Sequence, residues 1–219
     1  EAGPSLADWA NLLGNVREPD FQVCINFAEG QQVNLMLSMS HIPSRIGTSG
    51  FACTEQVQAG DGFAAQRLST YLSPLGCNLD ADAFRLALPS QELEEARSSQ
   101  PQGDGPMLIL APSAEDQDWP SDRWLALPKS ISKRLATLRS STLDLNLSMR
   151  RRAAAVACAD VVLSSCAITQ RLAVYFGIPL VALGATPTDF PPRGDIRCLG
   201  VRSDLASLTE QEVLDALGF

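Results

Sequence analysis

Apolar positions along the chain fall in short dense runs separated by polar punctuation, and the runs alternate between two periods. "FQVCINF", Phe21 to Phe27, is rich in β-branched and aromatic residues and predicts a buried strand. Gly30 and Gln31-Gln32 close it, and Val33 to Ser40 then spaces its apolar residues as a helix. Pro43 breaks that pattern, and Arg45-Ile46-Gly47 reads as a short second strand. From Asp61 to Leu75, the residues Phe63, Ala64, Leu68, Tyr71 and Leu72 form a helical stripe, which Pro74 and Gly76 end. Phe84 to Leu88 reads as a strand and Ser90 to Arg97 as a polar helix.

"SSQPQGDGP", Ser98 to Pro106, is the strongest linker signal in the chain. It predicts one lobe over 1–97, a linker over 98–106 and a second lobe over 107–219. The second lobe opens with "MLILAP", Met107 to Pro112, a buried strand. A helix follows over Pro120 to Leu138, kinked or split at Pro128, then a strand over Ser141 to Leu145. Ser148 caps a helix that runs to Cys158. Strand Val161 to Leu163, helix Thr169 to Phe176, a stop at Gly177 and strand Leu180 to Leu183 complete a βαβ unit. "SLTEQEVLDALGF" closes as a helix with a capping box from Ser207 or Thr209. Apolar strands alternating with helices imply an α/β protein of two Rossmann-like lobes with mostly parallel sheets. Ligands of such sheets bind beyond the carboxyl ends of the strands, which sets Ser113 to Asp118 beside Ser164 to Thr169 at an interlobe cleft.

Composition narrows the partners. The net charge of −8 argues against nucleic acid or an anionic membrane as the main partner. No apolar run approaches the ~20 residues of a membrane span, and the start shows no signal-peptide pattern. These features predict a cytoplasmic protein and leave peripheral membrane contact through Arg150 to Arg152 open. The chain starts at Glu1 without an initiator Met, which reads as a fragment or a processed product. None of the six cysteines forms a CxxC pair, so reduced thiols are expected, with Cys24 and Cys158 as core residues.

The order of features resembles glycosyltransferase family 9, the bacterial heptosyltransferase family. "DFQVCINFAEGQQVNLMLSMSHIPSRIG" is similar to its first-domain strand, helix and Arg-Ile-Gly segment, and "AAQRLSTYLSPLGCNLD" to its helix ending in Leu-Gly. "LILAPSAEDQDWPSDRW" resembles the opening of its second domain, and "SLTEQEVLDAL" its closing helix. "ADVVLSSCAITQRLAVYFGIPLVALGATP" resembles its signature without a gap. The resemblance implies the two-domain GT-B fold and sugar transfer from a nucleotide-diphosphate sugar, a substrate held without a metal or other cofactor. It also implies an incomplete first lobe, because the opening strand and glycine-rich turn with the catalytic Asp have no counterpart. The second lobe looks about one strand and one helix short between Trp124 and Ser148.

Where the family signature has Asp, Gly and His, this chain has Cys166, Ile168 and Arg171. Gln117 stands in the place of a donor-phosphate Lys. A helix N-terminus still offers N–H groups and a positive dipole to a phosphate. Ser113, Gln117, Trp119, Ser165, Cys166, Thr169 and Arg171 are therefore the candidate substrate-binding residues, with no catalytic residue and no metal site assigned. Acidic Glu115, Asp116 and Asp118 would repel a diphosphate.

Several residues carry two readings. Cys166 is either a thiol activated by a helix dipole or a small residue filling a lost Asp position, and the second is favoured. His41, the single histidine, fits a cap or surface role better than a catalytic base. Arg150-Arg151-Arg152 reads as a solvated or partner-facing cluster. Arg171 contacts phosphate or pairs with Asp160 or Asp189. Trp124 packs in the core, and Trp119 lines the cleft. The expected function is a heptosyltransferase-like protein with a degraded donor site and weak or no activity. The alternative is an inactive binding or scaffolding subunit whose protein partner covers the incomplete lobe.

Overall fold

The computed structural model describes residues 5–28, 30–58, 63–80, 83–113, 117–144 and 146–219. They divide into two compact units, Glu1–Asp82 and Ala83–Phe219. The polar stretch 98–106 therefore lies within the second unit and follows a helix that packs there.

The first unit begins with α1 (Leu6–Arg17), capped by Ser5 and Asp8, each side chain bonding the other residue's backbone N–H. No element was read from the sequence here, and α1 buries none of its residues. β1 (Val23–Asn26), β2 (Ser44–Gly47) and β3 (Glu55–Gln56) form a parallel sheet in that order, with Cys24 opposite Arg45 and Ile46 opposite Glu55. α2 (Gln31–Met39) joins β1 to β2, and α3 (Ala64–Leu72) runs on into a 3₁₀ turn over Ser73–Leu75. The expected start of that helix, at Asp61, lies outside the described residues. Ile46, Leu37, Ala52 and Tyr71 supply a small core, and the Phe27 and Tyr71 rings meet at a tilt with centroids 4.8 Å apart. His41 is exposed with a φ of 64°, and its Nε2 lies 3.1 Å from Arg17 Nη2. That is the surface role expected of it.

The second unit carries a five-stranded parallel sheet in the order β5-β4-β6-β7-β8. Its strands are β4 (Met107–Ala111), β5 (Arg139–Thr142), β6 (Val161–Ser164), β7 (Leu180–Leu183) and β8 (Ile196–Leu199). Every residue of β4 and β7 is buried. Helices α4 (Ser90–Ser99), α6 (Met149–Ala157) and α7 (Ala167–Phe176) pack together. α5 (Ser121–Ser132) packs with α8 (Glu210–Leu217), and α8 against β7. Leu108, Leu110, Leu163, Val181 and Leu183 meet Trp124, Leu127, Ile131 and Val213 in one apolar core.

Several expected elements form. Ser148 Oγ caps α6, Gly177 ends α7 in the left-handed region, and Thr209 with Glu212 closes the capping box of α8. A side chain at Gly177 would strike Arg85, so the stop is steric as well as conformational. Other boundaries move. α5 is one helix through Pro128 and ends at Ser132 rather than Leu138. Phe84 to Leu88 is not a strand; Leu86 N–H instead donates to Tyr175 O at 2.8 Å, and the Phe84 and Tyr175 rings meet edge to face. Leu145 of the expected strand over Ser141 to Leu145 lies outside the described residues, and β5 begins two positions earlier than that reading. β8 was not read because Asp195 and Arg197 interrupt its apolar pattern. Among the described residues no helix is long and apolar enough to cross a membrane.

Candidate functional site

The path of the chain selects one end of the second sheet. From β4 it passes through α5 to β5 on one side, then through α6 to β6 on the other. Connections leave in opposite directions at neighbouring strands β4 and β6, which is the arrangement that opens a crevice at strand carboxyl ends. The described loop residues there are 112–113 and 117–120, with the turn Ser165-Cys166. They touch: Ser113 N–H donates to Ser165 Oγ at 2.8 Å. The two expected loops therefore do lie side by side within this unit.

The individual residues are placed less uniformly. Asp118 does not aim a free charge outward. Its Oδ2 accepts the Ser113 N–H at 2.7 Å and its Oδ1 the Trp119 N–H at 2.7 Å, so it ties the loop to itself. Gln117 is exposed at the rim. Ala114, Glu115 and Asp116 lie outside the described residues. Trp119 is not a cleft residue. It is 1% exposed, its indole N–H donates to Leu208 O at 2.8 Å, and its ring meets Trp124 edge to face at 5.3 Å. A tryptophan followed by proline at a helix start packs inward here because the carbonyl before α8 satisfies its one donor. Trp124 is core, as expected.

Ser164, Ser165 and Thr169 are each 1% exposed or less. Ser164 Oγ donates to Ala111 O at 3.0 Å and accepts the Cys166 N–H at 3.0 Å. The Ser164 and Ser165 hydroxyls hold the turn together, and Thr169 is buried beside them. Gln170, also buried, donates to Ser164 O and Leu183 O and locks α7 to the strand ends.

Cys166 occupies the N-cap of α7, half-buried. Its thiol makes no regular capping bond to the first turn. Burial acts on the thiol pKa most strongly and upward. The Thr169 N–H and hydroxyl, the Ile168 N–H and the Arg152 charge together outweigh it, and the net shift is downward. Arg152 comes from α6; it is 8% exposed and brings Nη1 to 3.7 Å from the Cys166 sulfur. Burial separates it from its neighbours, for Arg151 is exposed and Arg150 pairs with Glu92 at the surface. The expected solvated triplet is thus three different environments, because successive helical positions point about 100° apart. The four-residue spacing from Arg152 to buried Val156 was the available signal. Arg202, whose Nη1 lies 3.4 Å from Ser165 O, carried none, since it is distant in sequence.

Arg171 is exposed, and its charge helps lower the Asp189 pKa, behind larger effects from the Thr186 N–H and hydroxyl. Asp160 is engaged elsewhere, accepting the Met107 N–H at 2.7 Å. Of its two expected carboxylate neighbours, Asp189 is the one on which the Arg171 charge acts. Among the described residues no group of three or more His, Cys, Asp and Glu is placed to hold a metal ion.

The architecture has known counterparts. It is the fold of glycosyltransferase family 9. A family 9 glycosyl transferase from Veillonella parvula superposes with a TM-score of 0.73 at 15% identity, over 99% of this chain and 79% of the other. Escherichia coli ADP-heptose LPS heptosyltransferase II gives a TM-score of 0.68 at 16% identity, over 97% and 80%. Escherichia coli heptosyltransferase WaaC with ADP-2-deoxy-2-fluoro heptose gives 0.62 at 13%, over 99% and 78%. No protein-family model matches the chain. No curated protein matches it in sequence either. The expected heptosyltransferase-like α/β fold with parallel sheets is borne out, and sequence divergence within it is large.

Proposed function

We propose that this protein is a heptosyltransferase-like member of the glycosyltransferase world whose nucleotide-sugar site is weakened, with transfer activity low or absent. The observation that carries the reading is the self-satisfied turn at the switch point. Ser165 Oγ accepts the Ser113 N–H and is buried, Thr169 is buried beside it, and the Cys166 side chain occupies the N-cap of α7. A diphosphate arriving there gains a helix dipole but few free donors. Ile168, 46% exposed, adds a branched side chain where a close backbone approach would serve a ligand better. Arg171 is the remaining exposed cation on α7, and a phosphate contact from it competes with Asp189. Gln117 at the rim adds a neutral contact. The neighbours that carry ADP-heptose in their names, or an ADP-sugar in their structures, support the donor class.

Calorimetric titration of the protein with ADP, UDP, GDP and their sugars tests this. Weak binding of an ADP-sugar that falls further in Arg171→Ala is the expected result. Tight binding with rapid sugar transfer contradicts the weakened site.

The second reading is an inactive binding or scaffolding subunit. α1 favours it: a capped helix with no buried residue, Leu6 89% exposed and Leu12 43% exposed, presents apolar surface suited to a protein partner. Absence of nucleotide binding up to millimolar ligand, with a stable complex recovered through α1, selects this reading over the first.

A further inference from the structure

We propose that Cys166 is a modification site, a thiolate nucleophile paired with Arg152 that takes soft electrophiles and low-molecular-weight disulfides. Two elements converge on the sulfur independently. α7 presents its N-terminal end to it, where the dipole favours negative charge. α6 brings in Arg152, nine-tenths buried, with Nη1 at 3.7 Å. A guanidinium in a low-dielectric setting attracts a facing anion far more strongly than it would in water. Cys166 is half-buried, beside exposed Ala167 and Ile168. Among the described residues, the other charges near the turn have partners of their own: Arg202 Nη1 lies 3.4 Å from Ser165 O, Asp118 holds two N–H groups, and the Arg171 charge acts on Asp189.

The step is thiol–disulfide exchange. The Cys166 thiolate attacks one sulfur of a small disulfide, whose S–S bond breaks as the mixed disulfide forms. The other half leaves as a thiolate and takes a proton from water. Cys166 is oxidised to the disulfide level, and one equivalent of small thiol is produced. The proposal does not rest on nucleotide binding.

The test uses the whole protein, glutathione disulfide as probe, and peptide mapping by mass spectrometry across a pH series, with iodoacetamide in parallel. Each pH unit by which a thiol pKa falls multiplies the thiolate about tenfold and costs about threefold in nucleophilicity, a net gain of about threefold below the pKa. Cys166 is therefore expected to react several-fold faster than the more exposed Cys77 below neutral pH. Its rate should half-saturate at lower pH than those of Cys158 and Cys198, whose thiols burial pushes up. Arg152→Gln is expected to move the Cys166 profile upward, and Arg152→Lys to keep it; circular dichroism confirms that both are folded. If both variants unfold, Cys166→Ser in the otherwise native chain decides by removing the fast-reacting site. Reaction of Cys166 no faster than Cys77, or a profile unmoved by Arg152→Gln, overturns the proposal.

Discussion

The two units solve the same problem with unequal means. In the second, β4 and β7 are buried at every position, α7 and α8 pack against the sheet, α6 and α4 stack beside α7, and α5 packs with α8. In the first, β3 is exposed at both of its residues, β1 buries one residue of four, and α1 buries none. Stability follows buried apolar area, at roughly 25 cal/mol per Å². The second unit therefore holds the rigid strand ends on which a site can be built, whereas the first offers surface. The lesson is that a shared fold leaves open which part of it still has work: that is decided by burial and by which polar groups remain unspent.

The largest effect expected from this contrast is in the second core. Leu163→Ala removes a fully buried side chain and should cost about 2–5 kcal/mol in urea unfolding, whereas Leu35→Ala in the first unit, 56% exposed, should stay within about 0.5 kcal/mol. Equal costs would erase the distinction. Next comes Trp119→Phe, which removes the indole N–H from Leu208 O. A loss of about 1–3 kcal/mol is expected in thermal melting, with nucleotide affinity unchanged in calorimetry. A selective loss of affinity at unchanged stability would restore Trp119 as a ligand contact.

Asp118→Asn should cost about 1–2 kcal/mol, because one amide oxygen cannot serve both the Ser113 and the Trp119 N–H. Faster proteolysis in the loop after β4 is the second readout. Thr209→Ala should cost about 1 kcal/mol through loss of the α8 cap, visible as a lowered melting temperature.

The smallest effect is on pH dependence. Hydrogen bonds from Arg193 hold the Asp195 carboxyl below its usual range, and the Thr186 N–H does the same for Asp189. A depressed carboxylate contributes stability above its unfolded pKa, near 4, and loses it as pH falls through the folded value. Melting should therefore decline below about pH 4, and less steeply in Asp195→Asn. An unchanged slope in that variant would show the Arg193 pair to be without weight.

The same contrast explains what could be read from the sequence. β4, β6 and β7 are continuous apolar runs with both faces buried, so periodicity and composition found them. Caps at Ser148, Gly177 and Thr209 are local chemistry and were equally legible. α1 was not read, since nothing in the fold buries its apolar residues in a way that marks them as core. β8 escaped because charges flank its short run. At the site, the neighbouring loops were foreseeable from the α/β pattern, yet the uses of Ser165, Trp119 and Asp118 depend on partners five to 89 positions away. The Arg152–Cys166 approach spans 14 positions and two helices, and no local rule encodes it.

Hydrogen exchange of the whole chain, with and without saturating ADP-sugar, tests the central claim most directly. The account predicts slow exchange in β4, β6 and β7 and faster exchange in β1, β2 and β3. Ligand should add protection only around Ser113 and the Ser165–Arg171 segment. Uniform protection across both units, or ligand protection confined to the first, would contradict it.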